Sequence, residues 1–593
     1  MTASTAFTPS EQPWYGAYLQ AGIRPDLPPP EHPSLAALVH AACQRFAAEA
    51  PKRPAFTCVV PNGMNGSLTF AQVDALSDAF AGYLRGVLGL QAGDRVAVQL
   101  PNGLAYPVVA FGVFKAGCVL VNTNPLYTET EMVHQLRDAG AQALVLIDLF
   151  ADKLPAVLAQ TGIRHVVLAD VTAFFPAVPR VVVRAVQRFW NRVLPPVQVP
   201  HVRLQAALAQ GQATLAQTPA QRYWESLGPG DLAALQYTGG TTGVSKGAML
   251  THGNLLHNVQ QMLAMGATHM TPGQECVLTA LPLYHIFAFT ANLLGFLAIG
   301  ARNVLVPSPR PVQNLQRAIE NHPITWMTGV NTLYNGLLNE EWFLAYPPKH
   351  LKASIAGGTA LHQAVAERWR EVTKTPIAEG YGLTETSPVV SFNPLSGPVR
   401  AGGIGIPAPG TRVRLVNDAG QEVAVGEPGE IQVQGPQVMQ GYWNQPAETA
   451  LVLRDGWLST GDVAVMDADG FLRIVDRKKD MVLVSGFNVY PNEVEDVVAQ
   501  MDAVLDVAVI GVPDAATGEA VRVYVVPNPD HAGDLRPEDV VAHCKQQLTA
   551  YKVPHQVVVR DELPKSPVGK VLRKDLRAEA LAHMAASASQ RPE

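Results

Sequence analysis

The segment Tyr237-Thr-Gly-Gly-Thr-Thr-Gly-Val-Ser-Lys-Gly-Ala-Met-Leu250 places three glycines, three threonines and one lysine within ten residues. Apolar runs flank it, Leu232-Ala-Ala-Leu-Gln236 before and Ala248-Met-Leu250 after. They read as buried strands joined by a glycine-rich loop. Such a loop offers backbone N–H groups, hydroxyls and one mobile cation to a polyphosphate. The common nucleotide P-loop has glycine immediately before its lysine and Ser or Thr after it. Here Ser245 precedes Lys246 and Gly247 follows. The loop points to ATP, handled differently from an ordinary NTPase.

Working outward, apolar runs alternate with helical patterns from about residue 34 to 400. Arg95–Leu100 predicts a strand, Ala105–Ala116 a helix, Val119–Val121 a strand, Thr128–Ala139 a helix and Ala143–Ile147 a strand. That order predicts an α/β fold built of βαβ units with parallel sheets. Near 400 the texture changes to short alternating strands, Thr411–Val416, Gly429–Gln434 and Gly470–Val475, with turn signals at Asp418-Ala-Gly420 and Asp467-Ala-Asp-Gly470. These predict a small antiparallel β subdomain at about 400–475. A smaller α/β unit follows, with helices at Pro491–Met501 and Pro537–Leu548, strands at Val504–Ile510 and Arg522–Val526, and a basic tail. The organisation expected is an extended Pro-rich N-terminal arm over 1–33, a large domain over 34–478 and a smaller C-terminal domain over 479–593.

The 593 residues are 48% apolar and 16% charged, a globular composition with ample core. A net charge of −6 gives no global basic field, so nucleic acid is not an expected partner. Five scattered cysteines with no CxxC pair give neither a zinc site nor a disulfide framework, and read as reduced thiols in a cytoplasmic protein. Ile286–Ile299 is too short to span a membrane and reads as a buried helix.

Three further segments carry chemistry. In Glu379-Gly-Tyr-Gly-Leu-Thr-Glu-Thr-Ser-Pro388, Tyr381 supplies a flat face for adenine, Thr384 a hydroxyl for an α-phosphate, and Glu385 a hard oxygen for Mg²⁺. Asp455–Asp462 runs on to Asp476-Arg-Lys-Lys479, and a carboxylate such as Asp462 offers two acceptors to a vicinal diol. Leu563–Arg573 brings Lys570, a cation that would offset repulsion between a carboxylate and a phosphate. With the 237–250 loop, these segments resemble, in order, the motifs of the adenylate-forming superfamily of acyl-CoA synthetases, luciferases and peptide-synthetase adenylation domains. The resemblance covers nearly all of the chain beyond the arm. It is nearest to bacterial long-chain fatty-acyl-CoA synthetases, through Asn122–Tyr127, 455–479 and Ser485–Pro491. Ser459 and Met466 depart from that pattern, where histidine and tryptophan are usual.

The resemblance implies a two-step ligase acting on fatty acid, ATP and CoA, with Mg²⁺. By the same carry-over, Lys570, Thr384, Glu385 and Lys246 are catalytic. ATP and AMP are held by Tyr237, Thr238, Gly239, Gly240, Thr241, Thr242, Gly243, Lys246, Gly357, Gly358, Gly380, Tyr381, Gly382, Thr384, Asp462 and Arg477. Thr238 and Glu385 bind the metal, Lys479 is the hinge of a mobile C-terminal domain, and Ser485, Gly486 and Phe487 line the CoA channel. His285, Phe289, Gly329, Val330 and Gly382 line the acyl pocket, Gly382 keeping it open where acetyl-CoA synthetases carry tryptophan. For His285 a satisfied core histidine remains the competing reading, and for Ala356–Ala360 a tight packing turn. Other ligases of the same fold stay open: a medium-chain or aryl-acid CoA ligase, or an enzyme loading a carrier protein. So does a non-catalytic lipid or nucleotide sensor. A homodimer is entertained as the assembly.

One segment falls outside these motifs. Arg180, Arg184, Arg188 and Arg192 recur every four residues, opposite Val182, Val183, Val186, Phe189, Trp190, Val193 and Leu194, between prolines at 179 and 195. A basic amphipathic helix over 180–194 suits peripheral contact with the inner face of the plasma membrane. A helix packed on the core with solvated arginines suits the same pattern.

Overall fold

The computed structural model describes residues 8–238, 245–397, 400, 402–485, 487–514, 516–529, 535–566 and 569–588. Among them the chain folds into four sheets. Arg95–Gln99, Val119–Asn122 and Ala143–Ile147 pair in parallel inside a seven-stranded sheet that extends through Leu232–Thr238 and closes on antiparallel Lys246–Thr251. Helices cover these strands, which therefore read as continuous apolar runs. Ala105–Lys115 is buried along its whole length. Its Lys115 ammonium is kept inside by Asp74 (2.5 Å) and Asp78 (2.7 Å), the pairing that a buried charge requires. Glu129–Ala139 starts on a Thr128/Glu131 capping box and stops at left-handed Gly140.

The second sheet has nine strands. Trp326–Gly329, Ala353–Gly357 and Ile377–Gly382 run parallel, so their carboxyl ends deliver Gly329, Gly357 and Gly380–Gly382 to one edge, the edge where open α/β sheets hold ligands. A third, antiparallel sheet contains Arg412–Val416, Gly429–Gln434, Trp457–Met466 and Leu472–Arg477, which realises the small β subdomain. The fourth belongs to the smaller C-terminal domain and combines Val482–Val484, Phe487–Val489, Val504–Asp514, Gly518–Pro527 and Gln556–Val559. It has its own core, including Val494, Val509, Val523 and Val540.

One expectation changes, and the basic tail gains a structure that the sequence left unassigned. The extended arm gives way at Pro9–Glu11 and Tyr15–Ala21, which are short helices. Trp14 and Tyr18 are each 1% exposed, and the Tyr18 hydroxyl donates to the Pro407 carbonyl at 2.6 Å. Burying two large aromatics outweighs the local bias of a Pro-rich composition. The basic tail is an ordered helix, Arg573–Ala588, because Leu576 and Ala580 pack beneath Tyr524 and Val526. Ile286–Ile299 is helical and buried as expected, with a π-turn at Phe289–Gly295.

Candidate active site

Asp462 lies opposite Arg477 in the antiparallel ladder, which puts both side chains on one face of the sheet. Arg477 Nε is 3.0 Å from Asp462 Oδ1, and the Tyr381 hydroxyl donates to Oδ2 at 2.7 Å. The carboxylate is thus fixed from two sides and buried. Burial, reinforced by the Asp462 charge, pushes the Tyr381 hydroxyl well above its ordinary value, so it stays a donor. A cavity of about 360 Å³ opens here, lined by Thr460, Gly461, Asp462, Arg477, Lys478 and Lys479.

Lys570 reaches this cluster from the C-terminal domain. Its loop is tightened by Ser566, whose N–H donates to the Lys570 carbonyl (2.7 Å) and whose Oγ accepts the Lys570 N–H (3.1 Å). Gly569 has φ +88°, and a Cβ there would lie 2.9 Å from Thr332 Oγ1 and 3.3 Å from Val330. Only glycine lets the loop press so closely on the large domain. Burial, then the Arg477 charge, lower the Lys570 ammonium from an ordinary 10.5 to about 7, against the pull of Asp462. Burial, then the charge of Lys570, push His285 down to about 4, so the imidazole beside it is neutral at pH 7.

In the antiparallel hairpin of Leu232–Thr238 and Lys246–Thr251, Thr238 stands opposite Lys246. Gly239, Gly240, Thr241, Thr242 and Gly243 lie outside the described residues, as does Gly486. The Lys246 ammonium contacts the Glu448 carboxylate and sits 5.1 Å over the Tyr442 ring. The Tyr442 hydroxyl in turn donates to Glu385 Oε1 at 2.7 Å. Thr384–Thr386 is a single 3-10 turn packed against both hairpin strands. Tyr237 turns its hydroxyl away to Asp138 (2.5 Å). The oxygens of Thr238 and Glu385 are hard donors suited to Mg²⁺. Among the described residues no three His, Cys, Asp or Glu side chains converge, so a divalent ion here would complete its shell with phosphate oxygens and water.

Gly357 and Gly380 pack at the carboxyl edge of the nine-stranded sheet, where a Cβ would meet Phe287 at 3.2 Å and Phe392 at 3.0 Å respectively, while Gly358 at φ +81° has open space beside it. Gly382 has a different basis from the pocket argument. A Cβ there would lie 1.9 Å from the Pro388 carbonyl oxygen, so backbone approach demands glycine. Phe289 is fully buried, edge-on to Phe114 at 6.2 Å. Gly329 packs on Leu333 and Tyr334. Phe487 is more than half exposed and stacks on Tyr551 at 4.8 Å. Ser485 adopts positive φ and its N–H donates to the Thr517 carbonyl.

Sequence reasoning missed Tyr442, Glu448 and Arg573. Arg573 Nη2 bonds Asn492 Oδ1 and Glu495 Oε2, both at 2.7 Å, while Nη1 lies 3.6 Å from Asp476 and 3.7 Å from Asp480. The Asn492 N–H also donates to Asp476 at 2.8 Å. Residues on both sides of Lys479 are therefore tied to one guanidinium. Burial holds Asp476 up at about 6 despite Arg573.

A family model described as AMP-binding enzyme matches residues 43–443, and one described as AMP-binding enzyme C-terminal domain matches 493–570. The chain belongs to the AMP-binding enzyme family. Among relatives in this family, a long-chain-fatty-acid–CoA ligase of Yersinia pestis is 47% identical over 96% of this chain and 98% of its own. A protein of the same description from Bacillus subtilis is 37% identical over 96% and 98%. A feruloyl-CoA synthase of Amycolatopsis is 33% identical over 86% and 94%. The ATP-bound structure of MatB from Rhodopseudomonas palustris superposes with a TM-score of 0.74 at 28% identity, over 91% of this chain and 98% of that one. An anthranilate CoA ligase, AuaEII, in complex with anthranoyl-AMP shares the AMP-binding enzyme fold, with a TM-score of 0.80 at 24% identity over 94% and 99%.

Proposed function

We propose that this chain is a long-chain fatty acid–CoA ligase, converting fatty acid, ATP and CoA to acyl-CoA, AMP and pyrophosphate through an acyl-adenylate. The observation that carries the reading is Lys570, delivered by a second domain to the buried Asp462–Arg477–Tyr381 cluster beside neutral His285. Relatives described as long-chain-fatty-acid–CoA ligases support the substrate class.

In the first step Asp462 accepts the ribose hydroxyls, with Arg477 and Tyr381 holding its orientation. A fatty carboxylate oxygen attacks the α-phosphorus, and the bond to pyrophosphate breaks. Lys570 offsets the repulsion between the two anions, while Lys246 exchanges Glu448 for the departing phosphates. Mg²⁺, held by Glu385 and Thr238, supplies charge neutralisation on the phosphates when bound. In the second step the domain beginning at Lys479 rotates, parting Asp476 from Arg573 and Asn492. The CoA thiolate then attacks the acyl carbon and AMP leaves, with Ser485, Gly486 and Phe487 along the thiol's path. Domain limits at 34–478 and 479–593 belong to this proposal. So do a cytoplasmic setting with peripheral contact at the inner face of the plasma membrane, and a homodimer. CoA-dependent AMP release across a panel of acids from acetate to oleate tests the reading. It stands if palmitate and oleate give the highest kcat/KM, and falls if aryl or short acids do, or if AMP appears only with a carrier protein.

A further inference from the structure

The helix over 177–190 lies on the protein in an orientation that amphipathicity alone left open. Its arginine edge is partly turned inward. Arg184 Nη2 pairs with Asp148 at 2.8 Å, a carboxylate only 3% exposed that also takes Arg203 at 3.0 Å. Arg180 Nη2 stands 3.7 Å from buried Asp170. Val183 packs on the core between these clips. The opposite face is left to solvent: Val178, Val181, Val186, Phe189, Trp190 and Val193 are all exposed, Phe189 at 72% and Trp190 at 86%. The packed surface helix with solvated arginines is thereby reversed, because two buried carboxylates draw the arginines in and push the valines and aromatics out.

We infer that this outward face is a docking surface for an anionic lipid bilayer. It deepens the membrane contact of the reading above and needs none of the catalytic roles. Three observations commit the face to lipid. Residues 176–200 contain four arginines and no Asp or Glu, although the whole chain carries −6. The global field therefore repels an anionic surface, and the attraction must be local. Arg188 and Arg192, outside the two clips, are exposed on the same stretch, and Arg188 stands 5.9 Å from the Phe189 ring. A Trp-Phe pair flanked by exposed arginines matches the headgroup boundary, where indole and guanidinium sit with their apolar parts turned to the acyl chains. Among the described residues no helix is long and apolar enough to cross a membrane, which leaves this contact interfacial.

The test uses the full chain and sedimentation with vesicles of phosphatidylcholine, with or without 30 mol% phosphatidylglycerol as a probe composition (about a third anionic, enough for a surface potential of tens of millivolts). F189S/W190S should lower partitioning onto the anionic vesicles about tenfold, the scale of burying two aromatic side chains less their residual contacts. R188E/R192E should abolish the preference for anionic over neutral vesicles. Both variants should keep their melting temperature and their turnover of soluble decanoate, and K570A should bind vesicles like the parent. If F189S/W190S binds vesicles unchanged, the inference is overturned. It is equally overturned if that variant changes the sedimentation-equilibrium mass while vesicle binding persists, since the face would then belong to a second copy. Failure of the ligase reading shows instead as absent AMP release with vesicle binding intact.

Discussion

The charge state of Lys570 can be followed through a pH profile. The fall from an ordinary 10.5 to about 7 means that holding the ammonium charged in the free enzyme costs roughly 5 kcal/mol. An anion about 4 Å away in an environment of effective dielectric near 20 returns roughly 4 kcal/mol, so a bound phosphate or carboxylate restores most of the charge. Free enzyme and ternary complex should therefore titrate differently. Burst measurements of pyrophosphate release without CoA, with decanoate well below its KM, give the second-order constant for ATP. That constant should be level below pH 7 and fall about tenfold per pH unit above it, reaching roughly a hundredfold loss at pH 9. The burst rate at saturating ATP and decanoate should hold to at least pH 9. Lys570→Arg, which stays charged, should lower the plateau and remove the limb near 7. A second-order constant flat from pH 6 to 9, or an unchanged limb in Lys570→Arg, would refute the role assigned to this lysine.

Burial of Glu379 pushes its carboxyl up to about 8, while the Leu361 N–H bonds it at 3.1 Å. The folded chain then holds a proton that the unfolded chain releases near its ordinary 4.5, so stability is lost as pH rises from about 4.5 to 8. Glu379→Gln should flatten that decline, seen as a smaller drop in melting temperature between pH 6 and 8. Arg573→Gln strands Glu495 and Asp476 as buried charges, a loss on the order of 3–5 kcal/mol in denaturant melts. It should slow adenylation more than thioester formation from supplied acyl-adenylate, and equal slowing would remove Arg573 from the hinge. Glu448→Gln releases Lys246 and should lower the KM for ATP severalfold, whereas a raised KM would mean that Glu448 aligns the lysine for phosphate. Gly382→Ala drives a methyl into the Pro388 carbonyl, so ATP binding by calorimetry should vanish for every acid tested, not only for long ones.

Local period and turn chemistry made much of the architecture legible. Ala143–Ile147 reads as a strand because its apolar run is uninterrupted, and Arg95–Gln99 because Val-Ala-Val lies between polar ends, while in the structure a Thr128/Glu131 capping box starts the helix at Glu129. Asp462 and Arg477 were readable from their motif, and strand register explains why they meet. Tyr442 and Glu448 were not, because nothing local distinguishes an ordinary tyrosine and glutamate; their roles arise from partners 57 and 202 residues away. Gly382 was read for the volume it leaves, but a carbonyl six residues on decides it. The 177–190 helix showed two faces in sequence, and only the positions of Asp148 and Asp170 say which one is inside.

The aromatic clasp at the start of the chain bears on the order in which the protein is made. Tyr18 closes on Pro407, 389 residues later, and the Trp14 backbone lies against Gly470. At a ribosomal pace of about 5–20 residues per second, roughly 20–80 s separate the synthesis of Tyr18 from that of its acceptor. For that interval the Tyr18 hydroxyl has no native acceptor, and the rings have only part of their native cover, from residues such as Met265, Phe296 and Trp326. This early segment is thus fully seated only once the β subdomain has been made, and its closing bond records that arrival.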